Sequence, residues 1–364
     1  MSQKLDIAGS LTDTSDGSPV DVGFVGCGSH AFRNVYPAVQ FTDLNLVATC
    51  DLVEEKARRY AEQFGASSYY TDHEAMLARE DLDGVLVVLN LDDDGRPLYP
   101  PIATDVLRAG CDVWIEKPPA ASVEAIEKLQ AVEAETGQHV HVGLKKCFTP
   151  AVRKAEEIVA GAEFGDISTI SMRYKLDVPR PDADFPLEHG PEHSSLLDIV
   201  HPGCVLSQLA GPVESVSCRS SERAGGVVTF VFESGAVGTL HLAGGASYTG
   251  PLERLEVVGE DAHLVVENGV DLTYYRPGDR GEYGREPSYI GTDGSAPVTW
   301  SPEFSLGQLY NKGLFTLGYY GELAHFAECV REGTAPDTAG LPMARELLQV
   351  YEALLTDEGC TITL

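Results

Sequence analysis

The feature that most limits what this chain can fold into is a glycine-rich turn set between a strand and a helix. Val20 to Val25 is a short apolar run, followed at once by Gly26-Cys27-Gly28-Ser29-His30-Ala31 and a helical stretch to about Phe41. Leu44 to Cys50 is a second buried strand ending at Asp51, and Glu54 to Phe64 reads as an amphipathic helix closed by Gly65. Gly84 to Leu89 is a continuous Val/Leu run, as in a strand covered on both faces. After the polar loop Asn90 to Arg96 come a helix ending at Gly110, a strand Cys111 to Ile115, a helix capped by Ser122 and stopped by Gly137, and a strand His139 to Gly143. Strict β-α alternation with short connections predicts an α/β domain built on a doubly wound parallel sheet.

The texture changes after Phe148. Short strands recur at Ile167 to Tyr174, Val213 to Cys218, Gly226 to Phe232, Ala236 to Ala243, Arg254 to Val258 and His263 to Val266, several of them separated by glycine-containing turns. Helices about Ser194 to Leu209 and Tyr320 to Arg331 accompany them. This half reads as an α+β domain with a large, mostly antiparallel open sheet. The expected division is a loose polar tail over 1–19, a nucleotide-binding domain over 20–147, and a substrate and oligomerisation domain over 148–364.

Gly26-x-Gly28-x-x-Ala31 fits the dinucleotide fingerprint with Ala in the third place. The first glycine permits the tight turn, the second lets backbone approach a pyrophosphate, and the small third residue lets helix pack on strand. N–H groups at the helix start supply an anion site. Asp51 would accept hydrogen bonds from the adenine ribose and repel a 2′-phosphate, so NAD is favoured over NADP. A glycine turn capped by a solvated Asp is the bland alternative. Cofactor contacts are therefore expected from Gly26, Cys27, Gly28, Ser29, His30, Ala31, Asp51, Leu89, Glu116 and Lys117.

Two clusters carry chemistry. Glu116-Lys117-Pro118-Pro119 follows a strand at its carboxyl end, where open α/β sheets bind ligands, and the prolines stiffen the turn that holds Lys117. A surface Lys in a Pro turn would look the same. The second cluster runs His189-Gly-Pro-Glu192-His193-Ser-Ser-Leu-Leu-Asp198-Ile-Val-His201. Asp198 and His201 stand at i and i+3 on one helix face, where a carboxylate raises the basicity of an imidazole and orients it. The cluster is dense in metal-ligand types, but its spacing matches no metal signature, and no metal is expected. A helix cap beside a half-buried histidine is the alternative.

In this order and spacing, the glycine turn, Asp51, Glu116-Lys117-Pro118 and the Asp198/His201 pair resemble the Gfo/Idh/MocA oxidoreductases. The resemblance runs from about Val20 to about Ala353 and includes Phe232-Glu-Ser-Gly-Ala-Val-Gly and the late Glu322-Leu-Ala-His-Phe326 helix. It implies an N-terminal Rossmann domain and a C-terminal α+β domain whose open sheet builds a homodimer or homotetramer. It implies an NAD-dependent dehydrogenase of a sugar or inositol-like polyol, with Lys117 and His201 carrying the acid/base work and Asp198 supporting the histidine. A redox-neutral NAD-dependent glycosidase and a non-enzymatic sugar-sensing regulator are the rival readings. Three departures flank the substrate side. The Asp-to-His spacing is three where four is commoner, Tyr99 stands near where many members have His, and Lys145-Lys146-Cys147 replaces an Asn-Arg-Arg run. Tyr99, Lys145, Tyr174 and His193 are accordingly the expected substrate residues.

Composition bounds the partners. Against 56 Asp and Glu stand only 26 Lys and Arg, a formal charge of −30, which disfavours nucleic acid and anionic membranes. No apolar run approaches the ~20 residues of a membrane span. None of the eight cysteines forms a C-x-x-C pair, so reduced thiols in a cytoplasmic protein are expected. The acidic, Lys-poor composition suggests adaptation to high salt, where screening shortens the reach of self-repulsion. The melting temperature should therefore rise on going from low to molar KCl. A flat profile would remove the halophile-like reading.

Overall fold

The computed structural model describes residues 18–179, 196–278, 296–302, 311–356 and 359–364. They cluster into two compact units, one of residues up to Lys145 with Gly318–Arg345, the other of Lys146–Leu317 with Glu346–Leu364. The first unit is built on β1 (Val20–Val25), β2 (Leu44–Cys50), β3 (Ser68–Tyr70), β4 (Gly84–Val87), β5 (Asp112–Ile115) and β6 (Val140–Val142). All pair in parallel, in the order β3-β2-β1-β4-β5-β6. The order reverses between β1 and β4, and that reversal opens a crevice at the carboxyl ends of the strands.

Local chemistry accounts for these elements. Every residue of β4 and of β5 is buried, as strands with both faces covered require, and the one carboxylate among them, Asp112, accepts from the His139 N–H. In the helix Val123–Thr136, Ser122 Oγ accepts from Ala125 N at 3.3 Å, Gly137 closes the end at φ 77°, and Ile126, Leu129 and Val132 form the buried stripe. The stretch after Gly28 is not one regular helix. Ala31–Val35 is a π-type turn in which Tyr36 N–H reaches the Ala31 carbonyl, followed by a single α-helical turn Tyr36–Val39. Pro37 has no N–H to donate and its ring crowds the carbonyl four residues back, which widens the preceding turn.

Helix Tyr319–Glu332, which a division at residue 147 assigns to the second domain, clusters with the first unit. Phe326 packs so closely on β4 that a Cβ at Gly84 would lie 2.8 Å from its ring, and Val142 N donates to Ala339 O at 2.8 Å. Such contacts join residues far apart in sequence and leave no local signal.

The second unit holds a nine-stranded sheet in the order β14-β13-β12-β11-β7-β10-β9-β8-β15. Its strands are β7 (Thr169–Tyr174), β8 (Val213–Ser220), β9 (Gly226–Phe232), β10 (Val237–Leu242), β11 (Glu253–Val258), β12 (His263–Glu267), β13 (Asp271–Tyr275), β14 (Val298–Trp300) and β15 (Thr361–Thr363). Among the described residues only β7 and β10 pair in parallel, so the sheet is mostly antiparallel as expected. The sequence reading omits β3, β13, β14 and β15, which are three to five residues long. It also omits the helices Pro150–Val159 and Leu341–Leu354. Among the described residues no helix is long and apolar enough to cross a membrane, and all eight cysteines are free thiols.

Two carboxylates tie the start of β6. Asp112 Oδ1 accepts from His139 N, and Glu133 Oε1 accepts from Val140 N, both at 2.7 Å. Burial, helped by nearby Asp112, lifts Glu133 from its ordinary 4.5 to about 7, against the lowering effect of the Val140 N–H. With the folded pKa above the unfolded one, this group's contribution is fully present below about pH 4.5 and is lost as pH rises through 7. Glu133→Gln keeps the acceptor and removes the charge. The variant should melt about 2–5 °C above wild type at pH 8 and show no gain at pH 4.5. Equal differences at both pH values would refute the assignment.

Candidate active site

In the first unit the glycine turn is shaped by contacts that admit no alternative residue at its first position. Gly26 has φ 105°, its N donates to Cys50 O at 2.8 Å, and a Cβ there would lie 1.9 Å from the Val88 carbonyl oxygen. Leu89 caps the same spot with its Cδ2 3.4 Å from that imagined Cβ. Next in the turn, Cys27 N donates to Asp51 Oδ2 at 2.9 Å, while Asp51 Oδ1 accepts from Val53 N at 2.9 Å. One carboxylate thus ties the end of β2 to the turn after β1. The Cys27 thiol is buried against the Tyr36 hydroxyl, 3.5 Å away, and burial pushes it up to about 12, which leaves it unreactive.

Gly28 behaves differently. A Cβ built on it meets nothing among the described residues within 4 Å, so their packing does not demand a glycine there. Tyr60 OH donates to the Gly28 carbonyl at 3.0 Å, and Ala31 is fully buried where the helix meets the sheet. An open groove beside the turn is lined by Ser29, Phe32, Arg33, Lys56, Arg59 and Tyr60, among others. A glycine facing open space at a strand-to-helix turn, with an adjacent carboxylate, fits the demands of a dinucleotide pyrophosphate and ribose.

Glu116, buried at the end of β5, organises the neighbouring turn. Its Oε1 pairs with His30 Nε2 at 2.9 Å and its Oε2 accepts from Lys117 N at 2.8 Å. Gly143 allows the end of β6 to pass close by, since a Cβ there would sit 3.1 Å from Glu116 Cα and 3.2 Å from Lys117 N. Lys117 is half-buried, and its bond to Pro118 is cis. Tyr99 is buried with its OH donating to the Leu89 carbonyl at 2.9 Å, and burial, with Glu116 nearby, raises its pKa far above the ordinary range. Lys145 Nζ donates to Tyr319 OH at 2.9 Å; burial, then Glu116 and Glu322, keep that phenol protonated.

The second unit carries its own cluster. Asp198 is exposed and His201 is buried on helix Leu196–Ala210, and Cys204 Sγ donates to the His201 carbonyl. Tyr174, at the end of β7, has its pKa raised by burial and then by Glu253, Asp198 and Cys204. Lys146 Nζ pairs with buried Glu253 at 2.6 Å and lies 6.0 Å from the Tyr174 ring. His189, Glu192 and His193 lie outside the described residues.

Within the first unit the structure brings together Gly26, Cys27 and Asp51, and separately His30, Glu116 and Lys117. Within the second it gathers Tyr174 and Asp198. Sequence reading noted Lys146 only within the run Lys145-Lys146-Cys147 and missed its partner Glu253, Tyr319 and the groove cations Arg33, Lys56 and Arg59. Lys56, Arg59, Tyr60 and Gln63 fall on one face of the helix that follows Asp51, a stripe visible in the sequence. The long-range partners carry no such mark.

Turn, carboxylate and strand order define a dinucleotide-binding Rossmann protein. A model of an oxidoreductase family with an NAD-binding Rossmann fold matches residues 20–144, and a GFO/IDH/MocA C-terminal domain model matches 152–265. The chain belongs to the Gfo/Idh/MocA family. It is 27% identical over 194 residues to a dTDP-3,4-didehydro-2,6-dideoxy-alpha-D-glucose 3-reductase of Actinomadura kijaniata, over 53% of this chain and 56% of that protein. That match spans about half the relative's length. Over 80% of both chains it is 23% identical to the scyllo-inositol 2-dehydrogenase (NAD(+)) of Bacillus subtilis. A dehydrogenase structure from Chromobacterium violaceum superposes with a TM-score of 0.76 at 23% identity, covering 93% of this chain and 95% of that one, and shares the fold.

Proposed function

We propose that this protein is an NAD-dependent dehydrogenase of a ring carbinol in a sugar or an inositol-like polyol. The observation that carries the reading is Gly28, a glycine facing open space beside a turn locked to Asp51. Bound NAD supplies the hydride acceptor. The remaining work falls to the chain's own residues. Lys117, stiffened by Pro118 and by the bond from its N–H to the Glu116 carboxylate, stabilises negative charge growing on the carbinol oxygen. His201 takes the hydroxyl proton, and Asp198, three residues earlier on the helix, tunes its basicity. Tyr99, Lys145, Tyr174 and His193 are assigned to the substrate side.

A second reading of the cofactor rests on Arg33, Lys56 and Arg59, three cations lining the groove beside Asp51 in a chain of net charge −30. They could neutralise a 2′-phosphate, which makes NADP the alternative. The open nine-stranded sheet supports a homodimer or homotetramer, since Val227 and Val237 stand 42% and 43% exposed on neighbouring strands.

A panel of sugars and inositols, offered with NAD and with NADP, tests these assignments. NADH should form with at least one cyclic polyol, and NAD should outperform NADP. His201→Ala and Lys117→Ala should each lower kcat by about 10²–10⁴ in a protein that still folds. Cleavage of an aryl glycoside without net NADH would favour the redox-neutral glycosidase. Wild-type turnover in His201→Ala would exclude that residue as the base.

A further inference from the structure

Away from the nucleotide turn, the first unit contains a group of side chains that the proposed chemistry does not use. His141 lies in the middle of β6, and His325 and Cys329 stand at i and i+4 on helix Tyr319–Glu332. One nitrogen of each imidazole and the Cys329 Sγ lie within 4.8 Å of one another. Cys329 Sγ is 3.7 Å from His325 Nε2, and the His141 and His325 rings are 6.0 Å apart, centroid to centroid. Asp337 Oδ1 stands 3.3 Å from His325 Nε2 at the solvent edge.

The decisive atom is His141 Nε2. His141 is 3% exposed, its ring is pressed edge-on against Phe326 at 4.9 Å, and among the described residues Nε2 has no hydrogen-bond partner. Buried polar nitrogens are almost always satisfied, because the desolvation cost of an unpaired one is not otherwise recovered. A nitrogen of the same ring lies within 4.8 Å of a second imidazole nitrogen and of a thiol sulfur. Two nitrogens and one sulfur form a donor set of borderline softness, suited to zinc and poorly suited to magnesium or calcium. Tetrahedral zinc, with bonds of about 2.0–2.3 Å, sets its ligands about 3.3–3.8 Å apart, and the Cys329–His325 separation already falls in that range.

We propose that His141, His325 and Cys329 form a structural zinc-class site that fastens helix Tyr319–Glu332 to β6. Binding forms two nitrogen–metal bonds and one sulfur–metal bond, and the Cys329 thiol gives up its proton to solvent. The fourth position falls to water or to the Asp337 carboxylate. Because His141 and His325 are 184 positions apart, no spacing motif could announce the site, and the sequence reading expects no metal. It does not depend on the polyol dehydrogenase reading.

The test uses the untagged full-length protein. After dialysis against metal-free buffer and loading with zinc, metal analysis should find about one zinc per chain. Replacing zinc with cobalt(II) should give the visible bands of a tetrahedral site and a near-ultraviolet thiolate-to-cobalt charge-transfer band. Cys329→Ser should abolish the charge-transfer band, and His141→Gln should reduce zinc content to below about a tenth of an equivalent. Cys360→Ser, at an exposed thiol, should change neither. The cobalt spectrum of the wild-type protein decides the matter even if the ligand variants fail to fold. Folded wild-type protein with no stoichiometric zinc and no charge-transfer band under excess cobalt would overturn the proposal.

Discussion

The first unit's site is organised around one hydrogen bond, from the Cys27 N–H to Asp51 Oδ2. It fixes the turn after β1 against the end of β2, and it does so with the same carboxylate that holds Val53 N at the start of the next helix. The position of that helix then matters, because Tyr60 reaches back from it to the Gly28 carbonyl and Lys56 and Arg59 line the groove. Gly26 makes the arrangement possible by letting the turn lie on the Val88 carbonyl. A second knot, Glu116, repeats the device one crossover further along, holding His30 of the turn and the Lys117 N–H with its two oxygens. Charge-assisted bonds from backbone N–H groups to carboxylates are among the stronger hydrogen bonds a protein can make, which suits parts that must be held in register.

Electrostatics in this chain are local before they are global. The net charge of −30 says little about the groove beside Asp51, which carries Arg33, Lys56 and Arg59. Nor does it describe the second unit, where Lys146 and Glu253 form a largely buried pair beside Tyr174. Removing one partner of such a pair strands a buried charge, so the pair specifies position more than it adds stability.

What the sequence made legible follows from what is local. The strand–turn–helix order around Gly26, Asp51 at the end of β2, the Ser122 cap and the Gly137 stop are each readable within one turn or one crossover, and each stands where expected. The mostly antiparallel second sheet was legible from recurring short strands and turns. Long-range pairings were not. Lys145 meets Tyr319 across 174 residues and Lys146 meets Glu253 across 107, so neither partner could be assigned before the topology was known. The π-type turn at Ala31–Val35 depends on Pro37, a residue whose effect is felt upstream of its own position.

The shape of the turn after β1 answers to a dinucleotide and not merely to folding. Gly28 separates the two, because a Cβ there would meet no atom of the described residues within 4 Å yet would occupy the space beside the turn. Titration of NAD into wild type and Gly28→Val, with the melting temperature of each, is the most direct measurement. The melting temperature should be unchanged and NAD affinity weakened at least about tenfold, a loss of about 1.4 kcal/mol or more. Undiminished NAD affinity in a folded Gly28→Val protein would contradict it.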